Sequence, residues 1–384
     1  MPGRRCPIKA LTNARAIVDE TIYDNVTILF DKTIVAVDTN VNTSGCELID
    51  AKGAYVSAGF IDMHIHGSGG ADVMDGTPEA LETISRTLLQ TGTTAFLATT
   101  MTMAQEAIDN AVDNVREHRT LLRGAQIVGV HLEGPFINPK KQGAQDAHFV
   151  QEPDYAAIEK YMDIVKMITL APEMEGSERF IRKIRESHDD VVLSIGHSDA
   201  DYDMALRSFH WGISHATHLF NAMPPLHHRS PGIVGAVFAD EEVTCDVIAD
   251  LVHLHPAILK SVWQQKGEKM ILITDAMRAG CMKNGEYDLG GQHVFVDNGK
   301  ATLENGTLAG SVLKMNEAVA NMVRHVGMTL PQAVASVTQI PAQKLKLNKG
   351  RLASGYDADM VIFDEDFSII TAIVAGKVQY QRSE

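Results

Sequence analysis

Val56-Ser57-Ala58-Gly59-Phe60-Ile61-Asp62-Met63-His64-Ile65-His66 is a mostly apolar run that ends in histidine. A run of this kind, without polar alternation, suits a parallel strand buried on both faces. Seven more runs resemble it, at 93–99, 126–132, 167–171, 191–195, 212–216, 244–248 and 270–273. Stretches of helical pattern lie between them, for instance 77–91, 103–119 and 153–161. Eight strand–helix units predict an α/β fold, a (β/α)8 TIM-type barrel. A doubly wound sheet is the alternative, but no Gly-rich phosphate fingerprint follows the first run.

Outward from the barrel, residues 1–55 read differently. Segments 26–30, 33–37 and 47–49 are short, β-rich and separated by turns. The tail from 350 to 380 is β-rich again, with Met360-Val361-Ile362-Phe363 and the run from Ile369 to Tyr380. The two ends are expected to pair into one small discontinuous β-sandwich domain, 1–55 plus 350–384, beside a barrel of 56–349. Within the barrel, 290–303 reads as a hairpin insertion turning at Asp297-Asn298-Gly299. Helical pattern resumes from Ser311 to about Leu347.

Composition sets limits on function. The 384 residues carry 34 Lys and Arg against 49 Asp and Glu, a formal charge of −15. That balance argues against nucleic acid, whose backbone needs clustered basic side chains. It does not argue against one small phosphorylated ligand. No run is long and apolar enough to span a bilayer, and the first residues carry no secretory h-region. Four scattered cysteines (Cys6, Cys46, Cys245 and Cys281) lack CxxC spacing and read as reduced thiols of a cytoplasmic protein. The methionines, Met101, Met103, Met315 and Met322 among them, read as core filler.

What ends each run carries the chemistry. In order come His64 and His66, Thr99 and Thr100, Glu133, Glu173, His197, His218, Asp250 with His253, and Asp275. Active sites of such barrels lie at the C-terminal ends of the strands, so these residues converge on one mouth. His64 and His66, two apart on a strand, point to the same side. Imidazole and carboxylate groups suit a divalent metal. Each residue also has a plain structural reading. Glu133, His197 and Asp275 could cap helices, Asn221 could cap its own loop, and Arg229 could be an exposed loop arginine. His215 is expected to be structural or to back a ligand, and His210, His227, His228 and His255 to be solvated or structural.

Six stretches, in order, carry a family resemblance: GFIDMHIHG from Gly59, HLEGPF from His131, GHSDA from Gly196, ATHLFNAMPPL from Ala216, ITDAM from Ile273 and GRLASGYDADMVIFD from Gly350. Together they resemble the amidohydrolase superfamily and, within it, look like the N-acetylglucosamine-6-phosphate deacetylases. The HxH pair and the closing segment are superfamily-wide; HLEGP with GHS and ATHLFNAMP is the more specific combination. The resemblance implies metal-dependent hydrolysis of the N-acetyl group of N-acetylglucosamine 6-phosphate. Glu133, His197 and His218 correspond to the main metal ligands, and His64 and His66 to a second metal site. Asp275 corresponds to a metal-side carboxylate and catalytic acid/base. Asn221, Ala222, Arg229 and His253 match substrate-binding positions, as do Ala144 and Gln145, and Leu308, Ala309 and Gly310. Some relatives have His where this chain has Gln145. The implied cofactor is one or two divalent ions, zinc first, with iron, manganese or cobalt as alternatives. A homodimer or homotetramer is implied, with Arg229 reaching the neighbouring active site.

The resemblance leaves rivals of two kinds. The galactosamine epimer could be the substrate, or the chain could be a cyclic amidase or nucleobase deaminase of the same superfamily. A barrel that has lost catalysis and serves as a scaffold should have lost a ligand or Asp275, and here all are present.

Overall fold

The computed structural model describes residues 8–383. Eight parallel strands follow one another around a barrel: Phe60–Ile65, Thr93–Thr99, Gln126–Glu133, Val165–Leu170, Val192–Ile195, His215–Ala216, Thr244–Ile248 and Met270–Ile273. Nearly every residue of these strands is buried, which accounts for their lack of polar alternation. A seam of side-chain and main-chain hydrogen bonds joins the first strand to the last. Asp62 Oδ2 accepts from Thr274 Oγ1 at 2.6 Å, and the Asp275 amide donates to the His64 carbonyl at 2.9 Å.

The first apolar run divides in two. Tyr55–Ala58 belongs to the terminal sheet and only Phe60–Ile65 to the barrel. The break falls at Gly59, whose amide bonds to Asp359 O at 2.9 Å. A Cβ there would stand 2.0 Å from Thr94 Oγ1, so the chain passes where no side chain fits. The sixth strand is shorter than its run, because Gly212 closes the preceding helix, Tyr202–Trp211.

Local chemistry fixes the helices. Pro78–Leu88 starts with Thr77 accepting from the Ala80 amide at 3.2 Å and with proline in the first turn. Leu81, Ile84, Ser85 and Leu88 then face inward at helical spacing. Each large apolar side chain among them contributes about 1.5–3 kcal/mol. Ile84→Asp would strand a charge at the centre of that face. The stretch expected at 103–119 is the helix Gln105–His118, and that at 153–161 is one short turn, Tyr155–Ile158, followed by a 3₁₀ turn.

The insertion after the eighth strand has three strands, Gly285–Leu289, Gln292–Asp297 and Lys300–Thr302, where one hairpin was expected. Its second turn sits on Asn298 and Gly299, both at positive φ (49° and 79°), as a tight hairpin requires.

Both ends of the chain build the other sheet. Hydrogen bonding runs through eight strands and branches at Lys9–Val18, which pairs with Thr21–Phe30, Glu47–Asp50 and Tyr55–Ala58. Tyr55–Ala58 pairs on its other side with Met360–Phe363. Met360, Ile362 and Ile373 face a small core with Leu11, Ile28 and Phe30; Val361, Phe363 and Val374 face the barrel's core. Strand alternation thus makes the C-terminal segment part of two interiors.

Candidate active site

Most of the residues that close the runs converge on one mouth; Thr99, Thr100, Glu173 and Asp250 do not line it, and Thr99 Oγ1 instead accepts from the Ile65 amide at 3.0 Å. His66, Glu133, Ala144, Gln145, His197, Asn221, Ala222, His218, His253, Asp275, Leu308 and Gly310 line one cavity of 220 Å³. His64 lies directly beneath, fully buried. Ala309 is buried behind the wall, in the apolar cluster of the insertion. Arg229 does not line the cavity. It is exposed, its Nη1 2.7 Å from His228 Nε2.

Glu133, the last residue of its strand, is the hub. Its Oε1 lies 3.0 Å from His197 Nε2, 3.1 Å from His218 Nε2 and 3.4 Å from His64 Nε2. Its Oε2 lies 3.1 Å from His66 Nε2. Asp275 Oδ1 stands 3.4 Å from both His64 Nε2 and His66 Nε2. The helix-cap readings of Glu133 and Asp275 therefore fall away. His197, His218 and Asp275 all have positive φ, at 49°, 32° and 49°. For residues other than glycine this costs about 1–3 kcal/mol each, and the surrounding structure must impose it.

Electrostatics match this crowding. Burial works against ionising Glu133, but the His64 and His197 rings outweigh it and hold its carboxyl well below the usual range. Asp275 is likewise buried and likewise lowered, chiefly by His64 and His66. Burial opposes a charge on His66, yet Asp275 and Glu133 raise its pKa well above the ordinary value.

These residues fit a divalent ion. The donor atoms of His64, His66 and Glu133 lie within 4.8 Å of one another, as do those of Glu133, His197 and His218. His197 Nε2 and His218 Nε2 are 3.1 Å apart while both face one carboxylate oxygen. Ring nitrogens drawn so close need a shared cation or a proton, and three buried N/O donors around a point suit zinc-like ions.

Other side chains orient the set. Gln145 Oε1 accepts from the Thr102 amide at 2.8 Å, which turns its Nε2 towards the cavity, 3.4 Å from His197 Nε2. His253 Nδ1 is 2.7 Å from Asp250 Oδ2, leaving Nε2 as its outward atom. Glu173, though it follows a strand, accepts from Asn138, Ser198 and the Asp199 amide and stays outside the metal cluster. His255 caps the helix Pro256–Lys266, and His210 leans on the Leu206 carbonyl.

Sequence reasoning missed several neighbours. His131 is buried under His64, its ring 4.7 Å away edge-on, with Nε2 2.7 Å from Thr169 Oγ1. Burial and the adjoining His64 ring push its pKa well below normal, so it is a neutral floor. Its position inside the HLEGPF motif was the available sign. Met101, Leu289 and Thr307 also line the cavity, and no sequence feature set them apart.

A barrel with buried imidazoles and carboxylates at its strand ends defines a class: hydrolases that work through a divalent metal. Comparison with known proteins makes the class specific. The amidohydrolase family model matches residues 55–379, and the chain belongs to the amidohydrolase family, whose members depend on a metal. It is 40% identical over 358 residues to the N-acetylglucosamine-6-phosphate deacetylase of Lysinibacillus sphaericus, covering 91% of this chain and 92% of that protein. With the enzyme of that name from Bacillus subtilis it shares 39% over 337 residues, 85% of each chain. The crystal structure of N-acetylglucosamine-6-phosphate deacetylase from Pasteurella multocida superposes with a TM-score of 0.93 at 29% identity, covering 98% of this chain and all of that one.

Proposed function

We infer that this chain hydrolyses the N-acetyl group of N-acetylglucosamine 6-phosphate, releasing acetate and glucosamine 6-phosphate. The observation that carries the reading is the meeting of Glu133, His197, His218, His64, His66 and Asp275 at one cavity, in a chain so similar to deacetylases of that substrate. Glu133, His197 and His218 would hold the principal ion, and His64 and His66 with Glu133 a second. A divalent ion in this place would lower the pKa of its water towards roughly 7 and polarise a carbonyl.

The chain's own groups do the rest. Asp275, held ionised, takes a proton as water oxygen bonds to the acetyl carbon. Negative charge gathers on the former carbonyl oxygen, within the compass of Gln145 Nε2 and His253 Nε2 as donors. Asp275 then gives its proton to the sugar nitrogen as the carbon–nitrogen bond breaks. One carboxylate serves first as base and then as acid. Asn221, Ala222, Ala144, Leu308 and Gly310 shape the sugar pocket. Arg229, exposed beyond the cavity, would pair with the phosphate in a neighbouring subunit of a homodimer or homotetramer.

The resident ion is taken to be zinc, with iron, manganese and cobalt separable by elemental analysis. Cys46, Cys245 and Cys281 are free, which suits the cytoplasm, and Cys6 lies outside the described residues. No described helix is long and apolar enough to cross a membrane.

Acetate release by metal-analysed protein tests the reading, with N-acetylglucosamine 6-phosphate, its galactosamine epimer and the unphosphorylated sugar as substrates. Rapid release from the first is expected, and preference for the second would reassign the sugar. No release from any of the three by metal-replete protein would sink the deacetylase reading.

A further inference from the structure

We propose that Asp246, seated on a buried hydrogen bond from His215, is the positioning residue that sets the direction of the His218 imidazole. The proposal rests on the reading of His218 as a metal ligand. Histidine ligands are ordinarily oriented through their second ring nitrogen. His197 follows that habit: its Nδ1 lies 2.9 Å from the Lys141 carbonyl. His218 does not, for its Nδ1 is buried and meets no hydrogen-bond partner among the described residues. Its ring must therefore be aimed from the main chain, and that main chain sits at a φ of 32°.

The amides of residues 217–219 all donate to hold it there, and the His218 carbonyl accepts from the Asn221 amide at 2.8 Å. The Thr217 amide donates to Ile195 O at 3.0 Å, the His218 amide to Asp246 Oδ1, and the Leu219 amide to Asp246 O at 2.9 Å. Two of the three end on Asp246, in the middle of the strand Thr244–Ile248. The other carboxylate oxygen of Asp246 is 2.9 Å from His215 Nε2, and His215 Nδ1 is 2.7 Å from Thr244 Oγ1. Both Asp246 and His215 are fully buried. A wholly buried carboxylate persists only when its oxygens are satisfied, and here both are occupied. Without His215, the carboxylate loses the contact that fixes its rotation. The simpler alternative is that the pair only ties two strands together. That role would affect melting, but not the hold on a metal.

The test challenges zinc-loaded, full-length protein with a chromophoric chelator and reads zinc release. Asp246→Ala should weaken zinc binding by about 10- to 100-fold. Asp246→Asn should restore a hold close to that of the unaltered protein. Its amide oxygen still accepts from the His218 amide, and its NH₂ meets His215 in the other tautomer. If Asp246→Ala melts lower yet keeps zinc as tightly as the unaltered protein, the proposal is overturned. Should Asp246→Ala fail to fold, His215→Leu and His215→Gln replace it. Leucine should loosen zinc and glutamine, still a donor to Asp246, should not; equal release from the two overturns the proposal. His218→Ala runs alongside, and full zinc retention there would overturn the ligand reading itself.

Discussion

Two pairs of histidines face the same glutamate, and they reach it by different routes. His64 and His66 share one strand, and simple alternation puts both rings on one side. His197 and His218 come from different strand ends, 21 residues apart, each at positive φ. The first pair is placed by local geometry. The second is placed by what surrounds it: the Lys141 carbonyl for His197, and the neighbouring strand for His218. Local placement tolerates change in the rest of the molecule, whereas imposed placement depends on it.

The largest expected effect falls on the group that touches only the first pair. Asp275→Asn should lower kcat by about 10³-fold or more while metal content stays nearly intact. Near-normal turnover would remove Asp275 from proton transfer. Next comes the group common to both pairs. Glu133→Gln should empty the site of metal, and elemental analysis showing full occupancy would break the hub. His197→Ala should likewise lose metal, while His66→Ala should keep the ion held by Glu133, His197 and His218. Equal losses from these two variants would mean that the pairs hold a single shared ion. Smaller is Arg229→Ala, which should raise KM by about 10- to 100-fold, the worth of one charged hydrogen bond, and leave kcat near normal. An unchanged KM would take Arg229 out of phosphate binding. The smallest is Thr274→Val. It strips Asp62 of its 2.6 Å donor at the seam beneath the first pair. It should cost about 1–3 kcal/mol of stability, seen as a lower urea midpoint with zinc content unchanged.

The difference between the pairs also accounts for what the sequence could and could not tell. All eight barrel strands were legible, because burial on both faces leaves a continuous apolar run. The residues closing those runs were legible because an imidazole or carboxylate directly after a buried strand is costly to keep unless it binds something. Lys9–Val18 carries no comparable signal: Ala10, Ala14 and Ala16 with Lys9, Asn13 and Arg15 lack β-branching, and it has two irregularities, one near Asn13 at a φ of 55°. Asp62 stands in plain view as a lone acid in an apolar run, and its bond across the seam accounts for it. Asp246 occupies a similar place, in Thr-Cys-Asp-Val-Ile, and its partners are visible only once strands adjoin. Met101 and Leu289 were illegible for the opposite reason, since a wall residue looks like any core residue. The resemblance puts Arg229 at the substrate, but within one chain it stands outside the cavity.

The pairing of Tyr55–Ala58 with Met360–Phe363 has a consequence for biosynthesis. The strand that leads directly into the barrel stays without its antiparallel neighbour until Met360–Phe363, far along the chain, has left the ribosome. When that neighbour arrives, its two faces close two interiors at once. Such long-range pairing is slow to find and leaves apolar surface exposed in the meantime. A nascent chain released early, short of Met360, would keep both interiors open on one flank. This late-made segment therefore bears on whether the rest is protected or left to chaperones and proteases.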